Sequence, residues 1–214
     1  MSEVPAEFAL RERILRRFAG SAPRHELADW RLLGVDAEGS RRLARHFPPD
    51  PVPAAVLMPL VDRPEGLTVL LTQRSNDMPS HPGQISFPGG KVDDCDADPL
   101  ACAIREAHEE IGLTPDLVEP LGYLDSYRTG TGFQINPVVG LVTPGFDPVL
   151  DPREVLEVFE VPLAFLMDPD NHQKASREWR GRERFFYAMP YQGRYIWGAT
   201  AGMLKNMHQR LFQR

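Results

Sequence analysis

The sequence predicts an α/β protein, a mixed β-sheet with helices packed on it, and three observations lead there. Short apolar or β-branched runs bounded by turn residues recur along the chain, as strands do. Among and after them lie segments with helical periodicity, and that mixture implies a sheet covered by helices. The composition is that of an ordinary globular chain: 214 residues, 42% hydrophobic and 25% charged, with 17 Gly and 21 Pro. Whole-chain disorder is thereby excluded. A typical domain of about 150 residues allows one decorated domain or two small ones, and we prefer the first.

In chain order, residues 5–20 set Phe8, Ile14, Leu15 and Phe18 among Arg11, Glu12, Arg13, Arg16 and Arg17, a spacing that predicts an amphipathic helix. It is read as an extension packed on the body. Glu3, Glu7 and Glu12 dilute its positive charge, so its polar face is assigned to solvent rather than to lipid or RNA. The run Phe47-Pro48-Pro49-Asp50-Pro51-Val52-Pro53 forbids helix and breaks strand pairing, and reads as a stiff connector. Residues 1–52 are thus expected to form the helical extension and connector, and 53–214 the main domain. Two paired strands are predicted over 54–60 and 68–72, joined by the turn Asp62-Arg63-Pro64-Glu65-Gly66. Further strands are predicted over 118–124, 135–142 and 184–189, and helices over 98–111 and 199–212.

No apolar stretch approaches the roughly 20 residues of a membrane span, and the N-terminus has no secretory h-region. A cytoplasmic protein without membrane contact is the expectation. Cys95 and Cys102 are too few for a disulfide framework and are read as free thiols. A net charge of −6 argues against a nucleic-acid partner bound by neutralising many phosphates, but leaves room for a small phosphorylated ligand.

Segment 98–111 carries the chemistry. Leu100, Ala103, Ile104, Ala107 and Ile111 form an apolar stripe facing the core, and Glu106, Glu109 and Glu110 an i, i+3, i+4 triangle expected on the far side. At an effective dielectric near 20, each carboxylate pair repels by roughly 3 kcal/mol. A solvated acidic face would tolerate this. The triangle, however, stands at the helix C-terminus before Gly112, where negative charge opposes the macrodipole. Upstream, Phe87-Pro88-Gly89-Gly90-Lys91 lets backbone approach a ligand closely. Clustered hard oxygens suit Mg²⁺ or Mn²⁺ holding a phosphate compound. No Walker A loop, dinucleotide-binding glycine fingerprint, G-x-S-x-G elbow or H-E-x-x-H helix is present.

The stretch from Gly90 to Leu113, ending Arg105-Glu106-Ala107-His108-Glu109-Glu110-Ile111-Gly112-Leu113, resembles the Nudix hydrolase box, G-x(5)-E-x(7)-R-E-U-x-E-E-x-G-U with U bulky and aliphatic. It departs from the box at Ala107, at Asp96 in place of the first Glu, and by one extra residue before Arg105. Leu70-Leu71-Thr72-Gln73-Arg74-Ser75 with His81-Pro82-Gly83-Gln84-Ile85-Ser86-Phe87-Pro88-Gly89-Gly90 is similar to the added signature of the coenzyme A pyrophosphatase branch. Pro79 stands where some members carry Arg. Glu154-Val155, residues 158–163 and 196–201 also look like that branch, and the resemblance covers about 53–207.

The resemblance implies a Nudix α/β/α sandwich and hydrolysis of a pyrophosphate bond. The branch implies coenzyme A or acyl-CoA as substrate, giving 3',5'-ADP and 4'-phosphopantetheine or its acyl form. ADP-ribose, a dinucleotide or an oxidised nucleotide are the alternative substrates, and a non-catalytic nucleotide sensor is a further alternative. Mg²⁺ or Mn²⁺ would be held by Glu106, Glu109, Glu110 and the Gly89 carbonyl, with Arg105 orienting a glutamate. The general base would be a box glutamate, Glu109 among them, or Glu154, and Arg74 would meet a substrate phosphate. His81 and His108 are expected to have no catalytic role, and Trp197 to anchor the core rather than stack on adenine. No cation can be named for the 3'-phosphate. The partner is a small molecule, and a homodimer stays open.

Overall fold

The computed structural model describes residues 6–23, 50–179 and 182–212. Its elements are α1 (Ala6–Phe18), β1 (Val52–Arg63), β2 (Gly66–Arg74), β3 (Ile85–Ser86), β4 (Gly89–Lys91), α2 (Pro99–Ile111), β5 (Val118–Tyr123), β6 (Tyr127–Arg128), β7 (Phe133–Val142), β8 (Val155–Pro162), α3 (Leu163–Met167), β9 (Gln173–Trp179), β10 (Arg182–Tyr191), β11 (Arg194–Trp197) and α4 (Ala199–Phe212). β1 is the axis of an eight-stranded mixed sheet. It pairs in parallel with β7 along one edge, and antiparallel with β2 and β4 in succession along the other. β8 adds outside β2 and β5 outside β7. A second sheet runs β11-β10-β9.

The unbroken apolar run of β1 follows from burial on both faces. Ala55, Leu57 and Val61 pack with Cys102, Ala103, Ala107 and Ile111 of α2. Val56, Met58 and Leu60 lie in the opposite layer with Ile14 and Phe18 of α1, Leu163 and Leu166 of α3, and Met203, Leu204 and Met207 of α4. This is the helix–sheet–helix sandwich that the resemblance implies. The turn between β1 and β2, the strands over 118–124, 135–142 and 184–189 and both predicted helices are found with small shifts of their ends.

Three expectations need correction. The connector was to run through Pro53, but β1 takes up Val52 and Pro53, paired with Phe133 and Gln134. A proline is tolerated near the start of a strand, where its missing N–H disrupts little; residues 47–49 lie outside the described residues. β8, β9 and β11 were not anticipated from residue pattern. β9 reads Gln-Lys-Ala-Ser-Arg-Glu-Trp, with no apolar alternation, because only pairing with β10 makes it a strand. Finally, the glutamate triangle does not face away from the core as a unit, since Glu110 is 4% exposed. Counting about 100° per residue, Glu110 falls only about 20° from Ala103 and so sits on the rim of the apolar stripe.

Candidate active site

Helix α2 is fixed at both ends. Asp98 caps its N-terminus by accepting from the Ala101 N–H at 2.8 Å, Pro99 opens its first turn, and Gly112 closes it in the left-handed conformation at φ 72°. Its last carbonyls are strapped to the loop after β7: the Val149 N–H donates to Ile111 O and the Asp151 N–H to Glu110 O, each at 3.0 Å. That loop continues to Glu154, whose N–H donates to Asp151 O and whose carbonyl accepts from the Ser75 N–H at 2.8 Å. Arg74 at the end of β2 pairs with Val155. Sheet register and helix capping thus bring Arg74, Glu110 and Glu154 to one end of the sheet.

The strand β4 backs onto the acidic end of α2. A Cβ on Gly90 would stand 2.4–2.6 Å from the Glu106 carboxylate, so only glycine lets that carboxylate press against the backbone. Gly89 has φ 153°, and a Cβ there would meet Ala55 O at 2.4 Å. Its N–H donates to Glu110 Oε2 at 3.3 Å. Burial pushes the Glu110 carboxyl up to about 8, opposed by Arg74 and the Gly89 N–H, and the charges of Glu106 and Glu154 push it further. Glu106 is raised for the same first reason, with Arg105 opposing and Glu109 and Glu154 adding. Glu109 is exposed.

Arg105 is the organiser of this end. Its Nε and Nη2 donate to the two oxygens of Asp96, each at 2.9 Å, while Nη1 donates to Glu106 and Glu109, each at 3.0 Å. The Arg105 side chain therefore does contact box glutamates, but its two-pronged grip is on Asp96. Asp96, whose side chain is 3% exposed, is the residue that the sequence reading left without a role. The Arg105 hydrogen bonds bring its carboxyl down to about 2 against the cost of burial. The only trace of it in the sequence is an acidic residue near the position where the box has its first Glu.

The remaining expected residues are also placed. Arg74 is half-buried, and its Nε is buried with no hydrogen-bond partner among the described residues. His81 and His108 are exposed, with His81 engaging only Gln84 among the described residues. Cys102 is buried and free, its Sγ donating to Lys91 O at 3.2 Å, and Cys95 is free and exposed. Trp197 is a correction: it belongs to neither core cluster. It lies on the β11 face opposite that of Ile196, which is fully buried in the core.

Among the described residues no three acidic, histidine or cysteine side chains already converge to hold an ion. The donor set nonetheless fits a hard divalent cation. Glu106, Glu110 and Glu154 are neighbours in charge with Arg74 and Arg105 as the cations beside them, and the buried Glu110 carboxylate has one backbone donor. Clustered carboxylate oxygens are what Mg²⁺ or Mn²⁺ requires.

A family model described as the NUDIX domain matches residues 51–188. The chain is similar to the protein named uncharacterized Nudix hydrolase NudL of Enterobacter sp. (strain 638), at 42% identity over 154 residues, 72% of this chain and 80% of the relative. It is 41% identical over 155 residues to the protein of the same name from Escherichia coli (strain K12), again 72% of this chain and 80% of that one. Among solved structures it is similar to a C. elegans Ap4A hydrolase binary complex, at 22% identity and TM-score 0.46, over 52% of this chain and 80% of that chain. No described helix is long and apolar enough to cross a membrane.

Proposed function

The chain belongs to the Nudix family, and we propose that it is a divalent-cation-dependent pyrophosphohydrolase that cleaves coenzyme A or acyl-CoA into 3',5'-ADP and 4'-phosphopantetheine or its acyl form. The observation that carries the hydrolytic reading is the seating of the Glu106 carboxylate against Gly90 and of the Glu110 carboxylate on the Gly89 N–H, with Glu154 among their charged neighbours. The substrate reading is supported by the signature residues. Leu70–Ser75 and His81–Gly90 form the end of β2, the loop after it, β3 and the start of β4, the segments that lead into this acidic end.

A bound divalent cation supplies neutralisation of the pyrophosphate charge and acidification of water. Glu106, Glu110, Glu109 and the Gly89 carbonyl are the groups that would hold it. Arg105, anchored by Asp96, fixes the rotamers of Glu106 and Glu109, so that the carboxylates need little reordering. Arg74, at the end of β2, donates from its guanidinium to a substrate phosphate oxygen. Glu154, on a loop strapped to the end of α2, takes the proton of the attacking water.

Glu110→Gln tests the metal assignment. Turnover of coenzyme A with Mg²⁺ or Mn²⁺ should fall by about 100-fold or more, while the melting temperature holds or rises because an amide carries none of the cost of burying an ionisable carboxyl. Unchanged turnover would overturn the site. A panel of coenzyme A, ADP-ribose, dinucleotides and oxidised nucleotides tests the substrate, and faster cleavage of any of the others removes the coenzyme A assignment.

A further inference from the structure

The second sheet presents a face that the hydrolytic site does not use. Its two faces are populated by alternate residues, with Ala188 of the second face buried and Phe185 of the first exposed. One face carries Tyr187, Met189 and Ile196, of which the last two are fully buried in the core. The other carries Phe186 and Ala188 of β10, Tyr195 and Trp197 of β11 and Arg177 of β9. There the rings of Phe186 and Trp197 meet edge-on at 5.2 Å, Tyr195 lies 6.5 Å from Trp197, and the Arg177 guanidinium sits 4.8 Å from the centre of the Trp197 ring. Trp197 and Phe186 are half-buried, Tyr195 is 46% exposed and Arg177 is exposed.

Arg177 makes no ion pair among the described residues. A guanidinium lying on an indole keeps its N–H edges free in the ring plane, ready for a two-pronged grip on phosphate. The sheet also adjoins β3, which pairs with the end of β2 that carries Arg74. β11 contacts β3, and the Thr200 hydroxyl, three residues beyond Trp197, donates to Ile85 O at 2.9 Å. Ile85 in turn pairs with Gln73, the neighbour of Arg74.

We propose that Arg177, held on the Trp197 ring, binds the 3'-phosphate of the substrate's adenosine moiety, with Phe186 and Tyr195 offering the aromatic bed for the adenine. This rests on the coenzyme A reading and deepens it, because it supplies the cation that the sequence alone could not name. Trp197 acts as a positioning residue for the guanidinium.

The test compares two probes that differ only in the 3'-phosphate, adenosine 3',5'-bisphosphate and 5'-AMP, titrated calorimetrically into the full chain. The unaltered protein should bind the bisphosphate about tenfold or more tightly than 5'-AMP. Arg177→Gln should abolish that preference, Arg177→Lys should keep part of it, and Trp197→Leu should reduce it. Arg177 is exposed, so the Gln variant keeps its fold, which circular dichroism verifies. A preference that survives Arg177→Gln, or its absence in the unaltered protein, overturns the inference. Coenzyme A turnover separates the two claims. An Arg177-dependent preference in a protein that does not cleave coenzyme A sinks the substrate reading alone. Turnover with an Arg177-independent preference sinks this inference alone.

Discussion

At the scale of single residues, the two adjacent glycines of β4 make opposite demands. Gly89→Ala forces a Cβ into Ala55 O and Val56 at 2.4–2.8 Å from a backbone at φ 153°, and neither neighbour can give way. It should lower unfolding stability by about 2–4 kcal/mol, measured by denaturant titration. The atoms nearest a Gly90→Ala methyl are those of the Glu106 carboxylate, the end of a side chain that can turn aside. It should leave stability nearly unchanged and depress turnover, so the pair of variants separates fold from site. Asp96 gives a second test. Asp96→Asn keeps the volume but loosens the grip on Arg105, and turnover should fall about 10- to 100-fold, with a higher Mn²⁺ concentration needed for half-maximal rate. Asp96→Glu should restore part of it. An unaltered Mn²⁺ requirement in Asp96→Asn would show that Arg105 orients the glutamates unaided. The sequence displayed Arg105 and the three glutamates plainly, because one helix turn holds them. The place of Asp96 depends on how a loop folds back onto that helix, which residue spacing does not give.

At the scale of elements, what could be read in advance was what local pattern determines. α2 and α4 follow from period and caps, and the β1–β2 hairpin from two apolar runs and a turn. β8 escaped because Glu157 and Glu160 interrupt its apolar pattern, and the reason for Glu160 is tertiary. Its carboxylate accepts from Arg63 at 2.6 Å and from the Thr68 hydroxyl at 2.5 Å, tying β8 to the far end of the β1–β2 hairpin. Burial alone would raise the Glu160 carboxyl; the Arg63 and Thr68 hydrogen bonds outweigh it and hold the group below its ordinary value. A carboxyl lowered in the folded state stabilises above the unfolded value of about 4.3, and that contribution is lost as pH falls through the folded value. Melting temperatures of the unaltered protein and Glu160→Gln should therefore differ at neutral pH and converge in acid below about pH 4. A constant gap down to pH 3 would assign the effect to packing instead.

At the scale of the whole molecule, α1 lies outside the segment that resembles the family, yet its contacts are those of a core element. Ile14 and Phe18 are 1% and 0% exposed, within the same cluster as β1, α3 and α4. Ser21 beyond the helix accepts the Tyr123 N–H of β5 at 2.9 Å, over a Gly122 that leaves it room. Arg210 of α4 stacks on Phe18, and Arg13 of α1 on Phe212 of α4. The sequence indicated the packing of this helix through its apolar spacing, but not its depth, because amphipathicity says that a face is covered and not by how much. Burying two large side chains contributes about 3–6 kcal/mol, a large share of the 5–15 kcal/mol by which domains are stable. We propose that residues 6–23 are part of the catalytic domain's fold. Removing residues 1–23 should then lower the melting temperature by at least about 10 °C and expose apolar surface to a hydrophobic dye. The single change Phe18→Ala should reproduce much of that loss within the full chain. A truncated chain that melts with the unaltered protein would make α1 an appendage, and the core would have to be redrawn without it.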